Sequence, residues 1–373
     1  MVPGVLAAAG AAVLAVAAAL ALHVAVNCPI QPLPSPRRPP SPYPPNNLLQ
    51  RVEKLGEGLL KGPEDVYVDA AAGGTLYTAA RDGWLHRMHP NGTWERWRFV
   101  GGDGLLGIFP SADGSMLVCD STKGLLKVGE GGVTLLASHD AQGSRISFAN
   151  AVVEASDGKV YFSDLSSRFH LGNWFLGFIE ARPAGRLLRY DLRTPHRRGL
   201  RCARRPRLRQ WRCAVQERGL HCRLRHPEVC TGAYVKLWLK GDKTGQSETL
   251  VDNLPGCPDN IHLAPDGSFW IALSSPLLDL IGGSTIAKRV LASFPAFHER
   301  AKAGLRKRAM VAQVSESGDI VRLLDDSEGK VLGRVTSATE FDGNLYIGSL
   351  GANFVGKLVL PQQATQEQSA VLS

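Results

Sequence analysis

The chain has 373 residues, with 43 Lys and Arg, 34 Asp and Glu, and a formal net charge of +9. The excess is local, because residues 195–229 hold eleven Arg and only two Glu, whereas basic and acidic residues balance elsewhere. A general nucleic-acid-binding surface is therefore not indicated. With 40 Gly, 23 Pro and few segments of helical periodicity, the composition favours an all-β chain of short strands joined by turns.

The first 27 residues form an apolar segment. No charged side chain precedes Arg37, and Val5 to Val26 is almost wholly apolar, which is the length that crosses a bilayer core. Residues 1–27 are predicted to be a signal peptide or an uncleaved signal anchor, with a buried core helix as the alternative. Either form of signal predicts entry into the secretory pathway, to the endoplasmic reticulum lumen or the vacuole, with membrane attachment if the anchor is kept.

Residues 28–47 are rich in proline and are predicted to be a semi-rigid linker that buries no core. The folded domain is expected over residues 48–361, followed by a polar tail over residues 362–373.

Two features bear on passage through the secretory pathway. Asn91 begins the tripeptide Asn-Gly-Thr in a polar turn, which is the acceptor pattern for N-glycosylation. Of the seven Cys, the four in or beside the Arg-rich stretch match no zinc-site spacing, and a disulfide framework would be unusual in a domain of this size.

One unit recurs along the domain: an Asp-Gly turn followed by a short strand of alternating apolar residues. Asp-Gly is a strong hairpin signal, since Gly readily adopts the positive φ of a type I′ turn. Repeated units of this kind predict a β-propeller, with a β-sandwich carrying incidental turns as the alternative. The pairs are Asp82-Gly83, Asp113-Gly114, Asp157-Gly158, Asp266-Gly267 and Asp342-Gly343.

The segment Val251 to Leu273 places two oxygen-bearing side chains on a rigid turn. Pro258 restricts the backbone on entry to Asp259 and Asn260, which begin a short strand. Such a pair suits a hard cation or a polar substrate, and turn capping is the alternative.

Two segments break the strand rhythm. Phe169 to Arg186 carries aromatic residues at loose helical spacing and is predicted to be a loop or short helix over one end of the barrel. Val290 to Val311 contains a basic helical stretch, for which a solvated face is the favoured interpretation.

Several motifs along the domain together resemble one family. They read GPEDVYVD, FANAVVEASDGKVYFSD, GRLLRYD, KLWLKG, VDNLPGCPDNIHLAPDGSFWIAL and TEFDGNLYIGSL. In this order they resemble the plant strictosidine synthase-like family, which is similar in turn to the adipocyte plasma membrane-associated protein and to paraoxonases. The resemblance implies a six-bladed β-propeller that enters the secretory pathway.

The resemblance has a gap at residues 195–229. The family continues there with a phrase like GLAFANGVALS, whereas this chain has an Arg-rich stretch without strand alternation. Permissible codons for Arg204 to His226, read one base later, can encode AGLAFANGVALSKNEAFIAVCD. We therefore predict an out-of-frame segment that opens near Thr194, closes near Cys230 and disrupts one blade; the alternative is a genuine basic insertion for nucleic acid or acidic lipid.

The resemblance also implies a metal site. Paraoxonase-like relatives hold calcium in the central channel with oxygen side chains. By motif, the ligands here would be Glu64, Asn150, Asp259 and Asn260. Carboxylate and amide oxygens are the ligands that calcium prefers. A further ligand, the Asn of a second FAN motif, would be lost with the Arg-rich stretch.

Two departures bear on the catalytic residues. Strictosidine synthases use a glutamate in the last blade for the condensation, and this chain has Thr336 at that position. A hydroxyl cannot replace a carboxylate as a general base at neutral pH. The position of the paraoxonase histidine is Leu106. His262 is a candidate substitute, although a lone histidine is more often structural or exposed. The catalytic residues are thus left unassigned.

Three functions are consistent with these residues. The first is a calcium-dependent hydrolase of small esters or lactones, and the second is a condensing enzyme of the strictosidine synthase type in alkaloid biosynthesis. The third is a propeller that binds without catalysis. The expected partner is a small molecule, bound in the channel or, for the third function, in the channel or on a face of the propeller. No nucleic acid is expected, and the sequence does not determine the oligomeric state.

Overall fold

The computed structural model describes most of the chain, namely residues 2–35, 42–182, 184–193, 201–202, 213–216, 219–222, 234–238, 241–244, 246–251, 254–274, 283–304 and 308–361.

The strands pair into six antiparallel four-stranded sheets, which we number 1 to 6 along the chain. Sheet 1 holds β2 (Asp65–Asp69), β3 (Thr75–Ala79), β4 (Trp84–Met88) and β5 (Trp94–Phe99). Sheet 2 holds β6 (Leu105–Pro110), β7 (Met116–Asp120), β8 (Gly124–Gly129) and β9 (Gly132–Ala137). Sheet 3 holds β10 (Ala149–Glu154), β11 (Lys159–Asp164), β12 (Arg186–Asp191) and β13 (Arg201–Cys202).

The other three sheets follow the same plan. Sheet 4 holds β14 (Cys213–Gln216), β15 (Gly219–Cys222), β16 (Tyr234–Trp238) and β17 (Ser247–Val251). Sheet 5 holds β18 (Cys257–Leu263), β19 (Phe269–Ser274), β20 (Ala309–Val314) and β21 (Ile320–Asp326). Sheet 6 holds β22 (Val335–Phe341), β23 (Asn344–Ser349), β24 (Val355–Val359) and the early strand β1 (Glu53–Leu55).

The first strands of the sheets contact one another in sequence, from β2 through β6, β10, β14, β18 and β22 back to β2. Apolar side chains on the sheet faces pack between neighbouring sheets. This radial arrangement confirms the predicted β-propeller, and the sandwich alternative is wrong. Side chains are described throughout most of five sheets, whereas sheet 4 is described mainly through its backbone pairing.

The Asp-Gly turns behave as the sequence predicts, with one refinement. Each turn glycine has a positive φ, as at Gly83 (85°) and Gly267 (85°). Only one of these five turns, the one between Phe341 and Asn344, has both central residues at positive φ. Asp342 has a φ of 48° and Gly343 a φ of 68°. That loop is a two-residue type I′ turn, while the others use a longer loop in which the glycine alone is left-handed.

Two connections at one end of the propeller form a lid. The β11–β12 connection holds a 3₁₀ turn (Leu171–Asn173) and α2 (Trp174–Glu180), and the β19–β20 connection holds α3 (Thr285–Ser293) and α4 (Pro295–Gly304). Both connections follow second strands, so they emerge at the same end of the ring. The short helix predicted within Phe169 to Arg186 is confirmed, and the basic helical stretch is helical as far as Gly304 but enters strand β20 at Ala309. The helices of the two connections share an apolar cluster around Phe175 and Ile179.

The N-terminal helix α1 (Val2–Asn27) projects from this same end. Ala7–Asn27 has a mean hydropathy of 2.3 and none of its most apolar window is buried, so it is long and apolar enough to cross a membrane. Its last turn contacts the lid, where His23 stacks on Phe294 with ring centroids 4.6 Å apart. The alternative of a buried core helix is wrong.

Part of the predicted linker, residues 28–47, docks on the propeller and is not a free tether. Residues 28–35 lie along the lid, where Ile30 is buried and the backbone N–H of Gln31 donates to the Glu180 carboxylate at 2.9 Å. Lys288 is fully buried, and its Nζ donates to the carbonyl of Leu33 and the hydroxyl of Ser35, each at 2.6 Å. An extended proline-rich chain makes no internal hydrogen bonds, so its backbone groups are available to a neighbouring surface.

The Arg-rich range 195–229 is described only in its strands. There β14 pairs with β15 over Cys213↔Cys222 to Gln216↔Gly219, so these residues are regular where the sequence predicts an irregular segment. Backbone pairing depends little on side-chain identity, and neighbouring sheets on both sides favour strands at this place. The remainder of the range lies outside the described residues, and the out-of-frame interpretation stays a prediction.

Cysteine chemistry differs from the expectation at one residue. Cys257, at the start of β18, is buried and disulfide-bonded, whereas no disulfide was expected in a domain of this size. A disulfide is typical of proteins that mature in an oxidising compartment. Cys28 and Cys119 are free thiols.

The docking of residues 28–35 generates a stability prediction. We expect Lys288→Ala to lower the free energy of unfolding by about 2 kcal/mol, since it leaves buried oxygen acceptors without their donor. Lys302→Ala, which removes an exposed pair with Glu299 on the same lid, should change it by less than about 0.5 kcal/mol. Urea unfolding of both variants measures the difference, and equal effects would show that the docked segment adds nothing to stability.

Candidate functional site

A cavity of about 960 Å³ opens at the lid end of the propeller. It lies where first strands begin and second strands end, and α2 covers one side of it. Its inner wall includes Glu64, Leu106, Asn150, Asp259 and Thr336. All five were singled out from the sequence, so the structure brings the predicted positions to one channel.

Glu64 lies immediately before β2 and is fully buried. Its backbone is held on two sides, because its N–H donates to the carbonyl of Ala79 at 2.9 Å and its own carbonyl accepts from the Thr336 hydroxyl at 2.5 Å. Both carboxylate oxygens lie 3.5 Å from Nδ2 of Asn260. The carboxylate is therefore placed at the channel by neighbours from sheets 1, 5 and 6.

The other predicted residues lie in β-bulges. Pairing shifts register near the start of β6, β10, β18 and β22, at the stretches that contain Leu106, Asn150, Asp259 with Asn260, and Thr336. A bulge turns a side chain away from the alternation of its strand. The repeated bulges therefore aim a residue from each of these strands toward the channel.

Asn150 has a feature typical of an incomplete polar site. It is 1% exposed, and its Oδ1 accepts no hydrogen bond from the part of the chain that the structure describes. Ser121, which also lines the cavity, likewise has a buried hydroxyl without a partner among the described residues. A buried polar atom of this kind costs free energy unless a ligand or water satisfies it.

Thr336 and Leu106 have structural contacts here. The Thr336 hydroxyl is engaged by the Glu64 carbonyl, which is consistent with the view that it is no general base. Leu106 is buried and packs with Phe148 and Leu165 in an apolar cluster beside the channel. Neither residue supplies an ionisable group to the cavity.

His262 lies behind the cavity wall rather than in it. Its Nε2 is 3.0 Å from Oδ1 of Asp65, and Oδ2 of Asp65 accepts from the N–H of Ile108 at 3.0 Å. The pair joins sheets 5 and 1, which are not neighbours in the ring, and so spans the channel beneath Glu64. His262 is therefore a structural residue of the channel floor, and its candidacy as a substitute base is not supported.

The sequence reasoning missed the cations of the cavity. Arg81 follows β3 and lines the wall near Glu64. Burial lowers the pKa of Arg81, while the charges of Asp103, Glu64 and Asp120 oppose that shift. Arg334 lies before β22 with φ at 50°, an uncommon value for a residue with a side chain, and its guanidinium lies 5.3 Å from the Trp174 ring centroid.

No group of three or more His, Cys, Asp and Glu side chains suited to a metal occurs within the described residues. The predicted ligand set contains two carboxylates and two amides, so it falls outside that pattern. Its suitability depends on carboxylate and amide oxygens converging on the channel.

Sequence similarity to family models and to individual proteins places the chain in a family. Family models described as "Strictosidine synthase-like, N-terminal" and "Strictosidine synthase" match residues 41–88 and 150–200. The adipocyte plasma membrane-associated protein of Bos taurus is 30% identical over 365 residues, covering 90% of this chain and 86% of that protein. The chain belongs to the strictosidine synthase-like family. A strictosidine synthase-like protein of Arabidopsis thaliana is 28% identical and covers 88% of each chain.

Solved structures agree on the fold of this strictosidine synthase-like chain. A gluconolactonase of Xanthomonas campestris matches with a TM-score of 0.56 and 16% identity, covering 88% of this chain and 99% of that one. A luciferin-regenerating enzyme matches with a TM-score of 0.54 and 13% identity, covering 83% of this chain and 95% of that one. At these identities the likeness is one of fold.

The close approach of neighbouring first strands generates a second prediction. A Cβ on Gly107 would overlap the carbonyl oxygen of Asn150 and lie 2.9 Å from the Cα of Ala151. We expect Gly107→Ala to lower the free energy of unfolding by about 1–3 kcal/mol, because β6 and β10 must separate.

The matched control is Gly131→Ala, since no atom lies within 4 Å of a Cβ added there. Thermal unfolding of both variants measures the difference. If Gly107→Ala unfolds at the wild-type temperature, the two strands are not in tight contact at the channel.

Proposed function

We propose that this chain is a calcium-dependent hydrolase of small esters or lactones, acting in the channel of a six-bladed propeller formed by sheets 1 to 6. The observation that carries the proposal is the arrangement of Glu64, Asn150, Asp259 and Asn260. They come from sheets 1, 3 and 5: Glu64, Asn150 and Asp259 line one cavity, and Asn260 lies 3.5 Å from the Glu64 carboxylate.

The donor set fits calcium by its chemistry. Glu64 and Asp259 supply negative charge, and Asn150 offers a buried amide oxygen that has no hydrogen-bond donor in the described chain. Hard divalent cations with flexible coordination select such oxygens. A calcium ion bound there would polarise an ester or lactone carbonyl and stabilise the negative charge that develops on its oxygen.

The remaining residues of the cavity position a substrate and limit its solvation. Phe169, Trp174 and Phe178 give the lid side an apolar surface, which suits the carbon skeleton of an ester or lactone. Thr336 fixes the backbone beside Glu64, and the Asp65–His262 pair closes the channel beneath it. These contacts keep the ligand oxygens in place before a substrate arrives.

Membership of the family favours a second candidate, condensation of the strictosidine synthase type. Such a reaction needs a carboxylate general base, and Thr336 occupies the position where the resemblance would place it. The third candidate, a propeller that binds without catalysis, is an outcome of the experiment below.

The proposed location is the lumenal side of the secretory pathway, in the endoplasmic reticulum or vacuole. Helix α1 supports a signal or an anchor, and the disulfide of Cys257 suits an oxidising compartment. Asn91 is exposed on the β4–β5 turn at the end of the propeller opposite the cavity. A glycan there would leave the cavity open.

The metal proposal predicts a thermal response to calcium. The wild-type protein should gain stability on calcium addition, by about 2.7 kcal/mol when calcium is at one hundred times its dissociation constant. Asp259→Asn should abolish most of this gain, because it removes a charged ligand at constant size. Hydrolysis of phenyl acetate should stop on addition of EDTA and return with calcium.

Asp113→Asn is the control, since Asp113 lies in an exposed turn and pairs with Lys127 away from the cavity. A calcium response that survives Asp259→Asn would exclude the ligand set. A normal calcium response without ester or lactone turnover would favour a binding propeller, and a condensation product from tryptamine and secologanin would favour the synthase.

A further inference from the structure

Basic side chains line the cavity from separate connections at the lid end of the propeller, and we call this end of the cavity its mouth. They precede β2 and β10, follow β3 and α2, and precede β22. The residues are Lys61, Arg145, Arg81, Arg182 and Arg334. Because five different segments converge here, the cations mark the mouth itself rather than one charged helix or loop.

The four acidic side chains that line the same cavity offset only part of this positive charge. Glu180 is buried and binds Arg168 at 2.6 Å as well as the N–H of Gln31. Asp103 is mostly exposed and pairs with Arg81 at 3.3 Å. The remaining two, Glu64 and Asp259, belong to the proposed metal centre. The mouth therefore has an excess of positive charge.

Two of the arginines bind only neutral groups within the described residues. Nη2 of Arg145 donates to the carbonyl of Thr122 at 3.3 Å, and Nε of Arg182 donates to the carbonyl of Gln31. A guanidinium has five N–H donors, so each arginine keeps donors for an anionic ligand. Backbone carbonyls orient these side chains without neutralising their charge.

Arg334 is positioned by a different contact. Its guanidinium lies over the indole of Trp174, and its backbone is held at φ of 50°. A non-glycine residue in this region is uncommon and persists when surrounding contacts over-determine it. The same indole belongs to the apolar side of the cavity with Phe169 and Phe178. Cationic and apolar surfaces thus adjoin at the mouth.

We propose that the cavity takes a carboxylate-bearing amphiphile, with an aromatic or aliphatic body against α2 and its anionic group at Arg145 and Arg182. This inference about the substrate rests on the proposed function. If the chain is a hydrolase, its substrate is an ester or lactone that also carries a carboxylate. A primary ammonium compound is the disfavoured class, since it would meet like charge at the mouth.

The test compares two esters that differ in one charge, 4-acetoxybenzoate and its methyl ester. The wild-type protein should hydrolyse the anion with a kcat/KM at least about tenfold higher, the factor expected for one charge-assisted hydrogen bond. Arg145→Gln and Arg182→Gln should each reduce this ratio by about three- to tenfold. Added sodium chloride should reduce it in the wild type.

Arg193→Gln is the matched control, because Arg193 is exposed beyond β12 at the opposite end of the propeller. It makes the same change in charge and should leave the ratio of the two rates unaltered. Thermal unfolding of each variant confirms that it is folded. An anion-to-ester ratio near one in the wild type, or a ratio unaffected by both cavity variants, would overturn the proposal.

A binding measurement separates this proposal from the hydrolase assignment. Calorimetry with 2-naphthoate and 2-naphthylmethanol should show tighter binding of the anion, lost in Arg145→Gln but kept in Arg193→Gln. If neither ester is hydrolysed and this preference holds, the hydrolase assignment fails while the anionic ligand class stands. If both esters are hydrolysed equally and neither naphthalene is preferred, the ligand class fails alone.

Discussion

The buried carboxylate of Asp65 holds together the centre of the ring. It accepts from the N–H of Ile108 in sheet 2 and contacts the ring of His262 in sheet 5, while its own strand belongs to sheet 1. A carboxylate taken out of water is costly unless its oxygens are satisfied, so these partners stabilise one another's positions. The cavity rests on this layer, since Glu64 and Asn260 lie one and two residues away from its members.

Polar chemistry at the cavity follows from how the first strands begin. A regular strand alternates its side chains between two sheet faces, and in a propeller both faces pack on neighbouring sheets. A residue can face the channel where a bulge interrupts that alternation, as at Asn150 and Asp259. Gly107 lets β6 approach the bulge of β10 closely. Bulge and glycine together bring oxygen atoms to the wall of the channel.

The N-terminal helix and the cavity lie at the same end of this architecture. The segment after α1 lies on the lid, where Lys288 and Glu180 bind its backbone, and α2 contributes Trp174 and Phe178 to the cavity wall. A free linker would leave the position of α1 undefined relative to the propeller, whereas the docked segment holds the end of α1 beside the lid.

Sequence patterns alone determined the class of fold, the apolar N-terminal helix, the lid helices and the positions of Glu64, Asn150, Asp259 and Asn260. Asp-Gly turns and strand alternation are local signals, and the motifs of the family carry the site residues with them. Tertiary structure decided what depends on distant partners. It placed His262 outside the cavity lining, where it pairs with Asp65, and it converted part of a predicted tether into a docked segment. It also brought together the cations of the cavity mouth. The first and last of them, Lys61 and Arg334, are more than 270 residues apart in the chain. No local pattern marks such residues, because their proximity arises only when the ring closes between β1 and β24.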